Sequence, residues 1–170
     1  MLRRDQKRME GDGNVQSALY QARRQTAGGA REVVPVFAAS RSMTYSDAER
    51  LLHYAGDVDI RQGTERITSE VSDVYLLKES YEVERTVSQR AVVVTQPGRR
   101  GTGDWGQYTA ADETVVLTGK PARVEDAEKG TSESNRMVVY LRENRVVSDG
   151  GGAPQSTTGR IRTTHKIKKQ

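Results

Sequence analysis

The feature that most restricts what this chain can fold into is a self-match at fixed spacing. Tyr45 is followed after eleven residues by Gly56 and Tyr108 after eleven by Gly119, with apolar residues at alternate positions before each glycine. Leu52 and Tyr54 thereby correspond to Val115 and Leu117. About thirty residues beyond each tyrosine, Val74-Tyr75-Leu76 meets Val139-Tyr140-Leu141. Such spaced self-similarity marks a repeat architecture in which each unit adds strands to one continuous core.

The periodicity within the units is that of strands. Leu52, Tyr54, Val58 and Ile60 occupy even positions while His53, Asp57, Asp59 and Arg61 occupy odd ones, the period of two of a half-buried strand. Gly56, between the apolar pairs, is unsuited to a helix interior, but in a strand it marks a bulge or bend where a sheet curls. Other apolar runs are short and β-branched: Val33 to Phe37, Ala91 to Thr95, Val115 to Thr118, Met137 to Leu141, and Val146 with Val147. Turn-forming clusters such as Gln96-Pro97-Gly98, Glu143-Asn144 and Asp149-Gly150 bound them, and at least eight strands are predicted. Helical flavour is confined to Arg3–Glu10 and Ala18–Arg24, neither of which has a persistent apolar stripe.

The chain has 170 residues, one domain's length, of which 34% are hydrophobic and 5% aromatic, so its core must be narrow. Two curled sheets facing each other across a slot meet that limit. The net charge of +4 suggests nucleic acid, but its distribution does not. Arg160, Arg162, Lys166, Lys168 and Lys169 place +5 in the last eleven residues, which leaves −1 for the rest. A basic tail without interleaved aromatics is a weak nucleic-acid signal; it reads as a solvated terminus or as an attraction for lipid phosphates.

Without cysteine the chain has no disulfide framework and no thiolate site. Met1-Leu2-Arg3-Arg4-Asp5 opens onto charge rather than an apolar signal region, and no stretch approaches the roughly 20 apolar residues that cross a bilayer. The expectation is a cytosolic protein, or a fragment or mature form without its export signal. Gly13-Asn14-Val15, which looks like half of a unit, favours the fragment.

Catalysis finds little support, and no cofactor is implied. His53 lies on a polar strand face and His165 in the basic tail, with no third residue to complete a triad or metal cluster. Glu125-Asp126 and Glu128 run into Lys129-Gly130 as turn chemistry. The Gly101-to-Asp104 stretch resembles a phosphate loop but lacks the lysine and following helix, so a turn is expected there. Trp105, the lone tryptophan, is either a core or cap residue or a ligand contact.

The succession Tyr45, Leu52, Tyr54, Gly56, Val58, Ile60, Gly63 and Ile67, then Gly103-Asp104, Tyr108, Val115, Leu117 and Gly119 to Val124, resembles the LptA/OstA family. Its most specific piece is Gly103 to Asp126, and the likeness covers roughly Ala38 to Gly150. It departs from the family in a long linker from Gln21 to Arg31 and an apolar-poor stretch from Thr131 to Arg136.

The resemblance implies an all-β antiparallel jellyroll, two sheets forming an open V. It also implies a periplasmic role in outer membrane biogenesis, carrying lipopolysaccharide or a related lipid with its acyl chains in a hydrophobic slot. The expected organisation is a partial unit and linker over residues 1–32, the jellyroll over 33–150 and a flexible basic tail over 151–170. Leu52, Tyr54, Val58, Ile60, Val115, Leu117 and Val124 are assigned inward by alternation. Around Val74 to Leu77 and Met137 to Leu141 both faces are apolar, so Leu76, Val139 and Leu141 are assigned by matching repeats.

Unpaired edge strands near Gly13–Leu19 and Val146 would join copies, or other jellyroll transport proteins, end to end. Two other classes stay open. One is a polysaccharide-processing β-domain, which needs convergent acid and base residues. The other is a structural β-repeat of a surface or fibrous protein, with a closed dry core.

Overall fold

The structure is a computed structural model, and it describes residues 2–3, 8–24, 31–143, 145–149 and 162–164. Eleven strands follow one another: β1 (Leu2–Arg3), β2 (Arg8–Arg24), β3 (Arg31–Ser46), β4 (Leu51–Gln62), β5 (Glu65–Leu76), β6 (Val83–Gln96), β7 (Arg99–Thr109), β8 (Thr114–Asp126), β9 (Gly130–Tyr140), β10 (Arg145–Asp149) and β11 (Arg162–Thr164). From β1 to β10 spatial order equals chain order, each strand is antiparallel to the next, and β11 pairs with β9. Hairpins alone build such a sheet, so local turn chemistry suffices to register it. The tight turns carry glycine where the backbone turns left-handed, as at Gly63 (φ 58°) and Gly98 (φ 79°).

Strands β2 to β9 run 11 to 17 residues, well beyond the common length of about five or six. They do not stay flat. Every adjacent pair from β2–β3 to β8–β9 slips register near mid-strand, at Asp12/Val15, Ala39/Ser42, Ala55/Val58, Thr68/Val71, Gln89/Val92, Thr102/Trp105 and Thr118/Ala122. A row of bulges therefore crosses the sheet and folds it over on itself. Gly56 sits in this row at φ 85°, where a Cβ would come within 2.9 Å of Arg41. The glycine inferred to mark a bend does mark one.

The two repeats occupy equivalent places. Tyr45 opposes Leu52 and Leu52 opposes Val74, just as Tyr108 opposes Val115 and Val115 opposes Val139. The offset between copies nevertheless grows from 63 residues at Tyr45/Tyr108 to 65 at Val74/Val139. One added residue lies in the bulge, where Gly119-Lys120-Pro121 replaces Gly56-Asp57. The other lies in the turn, where Ala127-Glu128-Lys129 replaces Gly63-Thr64.

One sequence expectation needs correction. Gly101 to Asp104 is not a turn but part of β7; the turn precedes it at Pro97-Gly98. Its glycines answer to packing: a Cβ on Gly101 would meet Leu117 Cδ1 at 2.6 Å, and one on Gly103 the Thr118 carbonyl oxygen at 2.7 Å. Ala18–Arg24 is strand, as is Arg8–Glu10, because Val15 and Leu19 alternate onto the inner face and β3 supplies a ladder along the whole of β2. Of the expected linker, Gln21–Arg24 ends β2 and Arg31 begins β3, while residues 25–30 lie outside the described set. Three residues of the basic tail form β11 against Thr131–Glu133 of the apolar-poor stretch.

The β3–β4 turn is held by one carboxylate. Asp47 Oδ1 accepts hydrogen bonds from the Tyr45 hydroxyl (2.9 Å) and the Tyr81 hydroxyl (3.2 Å) and pairs with Arg50 Nη1 at 2.9 Å. The Arg50 guanidinium also stacks 4.4 Å from the Tyr81 ring centre. The Tyr45 hydrogen bond, with those of Tyr81 and Arg50, holds the Asp47 carboxyl below its ordinary pKa, and burial with the Asp47 contact pushes Tyr45 up to about 12. A carboxyl depressed on folding adds stability above its unfolded pKa of about 3.9 and loses it as pH falls through the folded value. Asp47→Asn is therefore expected to lower the melting temperature at pH 7, and that difference should shrink below about pH 4. A difference unchanged from pH 7 to 3 in thermal melts would show the charge to be irrelevant.

Gly101→Ala should cost about 1–3 kcal/mol by overpacking against Leu117. Combining it with Leu117→Val should recover part of the loss, because the two sites touch. Urea unfolding that shows strict additivity would place the clash elsewhere.

Candidate functional site

Alternation over a folded sheet sends one face of the strands from β2 to β10 inward, and the inward residues form two apolar clusters. The first contains Val36, Ala38 and Met43 of β3, Leu52, Tyr54, Val58 and Ile60 of β4, Val74 and Leu76 of β5, and Val83 of β6, with Val15, Leu19 and Tyr45 against it. The second contains Val92 and Val94 of β6, Tyr108 of β7, Val115, Leu117, Ala122 and Val124 of β8, and Met137 and Val139 of β9. Ala110 and Leu141, in the turns after β7 and β9, complete it, with Ile67 and Val146 against it. β5 and β6 serve both clusters, changing allegiance across their bulges.

All ten residues assigned to the slot are buried. Leu52, Tyr54, Val58, Ile60 and Leu76 fall in the first cluster and Val115, Leu117, Val124, Val139 and Leu141 in the second. Sequence reasoning missed others. Val74 and Met137 lie where both faces are apolar and alternation is silent, although Val74 opposes the inward Leu52 and Met137 the inward Leu117. In the run from Val33 to Phe37 only Val36 is buried; Val33 and Phe37 are more than half exposed.

Polar groups gather where the clusters meet. The Ser69, Ser72 and Ser88 hydroxyls form a buried chain at 2.8 and 2.7 Å, and Ser69 also donates to the Val71 carbonyl at 2.9 Å. Gln21 Nε2 on β2 donates to the Tyr108 hydroxyl on β7 at 2.5 Å, bridging strands that share no ladder. Beside it lies a cavity of about 30 Å3, lined by Gln21, Val36 and Ile60 on one side and by Val94, Tyr108 and Leu141 on the other. It is water-sized.

The sheet exterior is charged. Asp59 binds Arg66 through two contacts of 2.8 Å and Arg61 at 2.9 Å; burial raises its carboxyl, and these guanidinium groups outweigh that and hold it below the ordinary value. Arg99 reaches from β7 to the Tyr140, Glu143 and Arg145 carbonyls at 2.9 to 3.2 Å, and burial lowers its pKa against the pull of Asp126 and Glu65.

The other candidates from the sequence are dispersed. His53 Nδ1 lies 2.6 Å from Asp73 Oδ1 on the neighbouring strand, and His165 is outside the described residues. Asp126 Oδ1 accepts the Glu128 and Lys129 amides at 2.8 and 3.0 Å, the expected turn chemistry. Trp105 is half-buried and belongs to neither cluster. Among the described residues no group of three histidines, cysteines or carboxylates could hold a metal ion, and no helix is long and apolar enough to cross a membrane.

Comparison with known proteins adds to this geometry. A family model described as LptA/(LptD N-terminal domain) LPS transport protein matches residues 39–145. No curated protein matches the sequence. Among solved structures, LptH from Pseudomonas aeruginosa, described as the LptA homologous periplasmic component of the conserved lipopolysaccharide transport device, aligns with a TM-score of 0.68 at 21% identity. The alignment covers 79% of this chain and 96% of that one, and it shows the fold: one curled, unclosed antiparallel sheet, the β-jellyroll. With a fold held in common and a family match over most of the sheet, this chain belongs to the LptA/LptD N-terminal-domain family of lipopolysaccharide transport proteins.

Proposed function

We propose that this protein carries lipopolysaccharide or a related lipid across the periplasm towards the outer membrane, holding the acyl chains between the two halves of its folded sheet. The observation that carries this reading is the interior itself: all ten assigned residues are buried in two apolar clusters that abut within a sheet left unclosed. The present cavity is far too small for an acyl chain, so loading requires the halves to part. Parting them breaks no backbone ladder, because β2 meets β7 through side chains. Burying about a dozen methylenes at ~0.8 kcal/mol each, on the order of 10 kcal/mol, offsets the cost of separating the two apolar surfaces. The fold and family speak for transport rather than catalysis.

A photoreactive residue at Leu76, on the inner face, should crosslink to radiolabelled lipopolysaccharide, whereas one at Thr118, which faces away from the buried Leu117, should not. Equal labelling at both positions would reject the slot.

Edges are the second element of the proposal. Among the described residues β10 and β11 end the sheet on one side, and on the other β1 pairs with Arg8 and Met9 alone, so most of β2 offers main-chain groups to a further strand. Copies of this chain, or other jellyroll transport proteins, would add there and align their slots. Val146→Pro removes a donor from β10 and should reduce concentration-dependent association in sedimentation while sparing lipid binding. A monomer at every concentration, identical in the variant, would count against end-to-end assembly of this chain.

A further inference from the structure

Two buried amides with unmet hydrogen-bonding capacity line the cavity where the apolar clusters meet. Gln21 is fully buried; it commits Nε2 to Tyr108, and its Oε1 has no partner among the described residues. Gln62, 9% exposed at the end of β4, lacks a partner for Nε2 among the described residues. One orphan is an acceptor and the other a donor. Unpaired buried amide atoms are costly and rare, and here two line a single cavity between the apolar clusters.

We propose that Gln21 and Gln62 form a subsite for a hydroxyl group on the acyl chain, close to the lipid's polar head. The inference rests on the slot reading above and narrows its ligand. A hydroxyl donates and accepts at once, so a single carbon substituent could serve both Gln21 Oε1 and Gln62 Nε2. A carbonyl would serve only Gln62, and an ammonium only Gln21.

The position along the chain follows from the rim. Exposed Arg66 and half-buried Glu65 line the same cavity, so this end of the slot opens to water. A polar head resting there puts the hydroxyl within a few carbons of it and leaves the remaining methylenes to the apolar clusters. Such a site discriminates against the chain that lacks the hydroxyl, because that chain leaves both amides unpaired.

The test is displacement of a fluorescent fatty acid from the full chain by 3-hydroxytetradecanoate or by tetradecanoate. It compares the parent with Gln21→Met and Gln62→Met, which conserve volume and remove the orphan atoms. The parent should prefer the hydroxylated chain by about tenfold, the scale of one or two net hydrogen bonds. Either methionine variant should bind the plain chain at least as tightly as the parent does and lose the preference.

Equal binding of both chains by the parent would overturn the subsite and leave the slot standing, water being then the partner of the amides. A preference that persists in both variants would overturn the assignment to these glutamines. Displacement by neither chain would overturn the slot reading, and the subsite with it.

Discussion

The row of bulges that crosses the sheet is the constraint on which the rest depends. A ladder of hairpins with strands this long would otherwise form a broad twisted sheet with both faces wet. Register slips at the middle of successive strands bend it, and the bend gives the inward-facing residues something to pack against. Gly56 and the Gly119-Lys120-Pro121 segment do the same work in the two repeats with different numbers of residues. The repeat thus keeps its register while its length drifts, because a bulge absorbs an extra residue on the outside without moving Leu52 or Val115 off the inner face.

What the bend produces is two cores rather than one. Val83 belongs to the first cluster and Val92 and Val94 to the second, on the same strand and on either side of the Gln89/Val92 slip. Ile67 and Val74 divide in the same way on β5. Between the clusters the interior turns polar, with the Ser69–Ser72–Ser88 chain and the Gln21–Tyr108 bridge. Hydroxyl chains satisfy themselves within the strands that carry them, so they survive movement of the sheet halves. The Gln21–Tyr108 bond spans the halves and would have to yield if they part as proposed.

The inner face of β4 and β8 was legible in the sequence because their alternation is unbroken on both sides of a glycine, and Leu52, Tyr54, Val115 and Leu117 follow it to the residue. Leu76, Val139 and Leu141 were recoverable only by matching repeats, since a strand apolar on both faces carries no period. Three kinds of feature were illegible. Of β2 only the stretch near Gly13–Leu19 was read as a strand; the remainder offers few apolar residues, because a strand with a solvated outer face needs only Val15 and Leu19 to seat it, and its order comes from pairing with β3. Gly101 and Gly103 looked like turn residues because a glycine chosen for close packing and one chosen for positive φ are the same letter; only the neighbouring Leu117 side chain and Thr118 carbonyl distinguish them. Gln21 and Gln62 were invisible for a third reason: burial of a polar residue leaves no mark on hydrophobic periodicity.

These features bear on the loading proposed above, in which the two halves would part and close again. Backbone ladders join only neighbouring strands and remain whole whichever way the halves lean, so the fold's hydrogen-bonded frame is not at stake in loading. What separates is apolar surface, whose attraction is non-directional and can be replaced by the methylenes of a guest at nearly equal area. On the β2 side the halves are linked by the Gln21–Tyr108 hydrogen bond, which lies beside the cavity where a guest would arrive. A chain inserted there exchanges protein–protein contact for protein–lipid contact of the same kind. If the slot is loaded as proposed, an interior so arranged would hold its cargo and still release it to a neighbour offering the same surface.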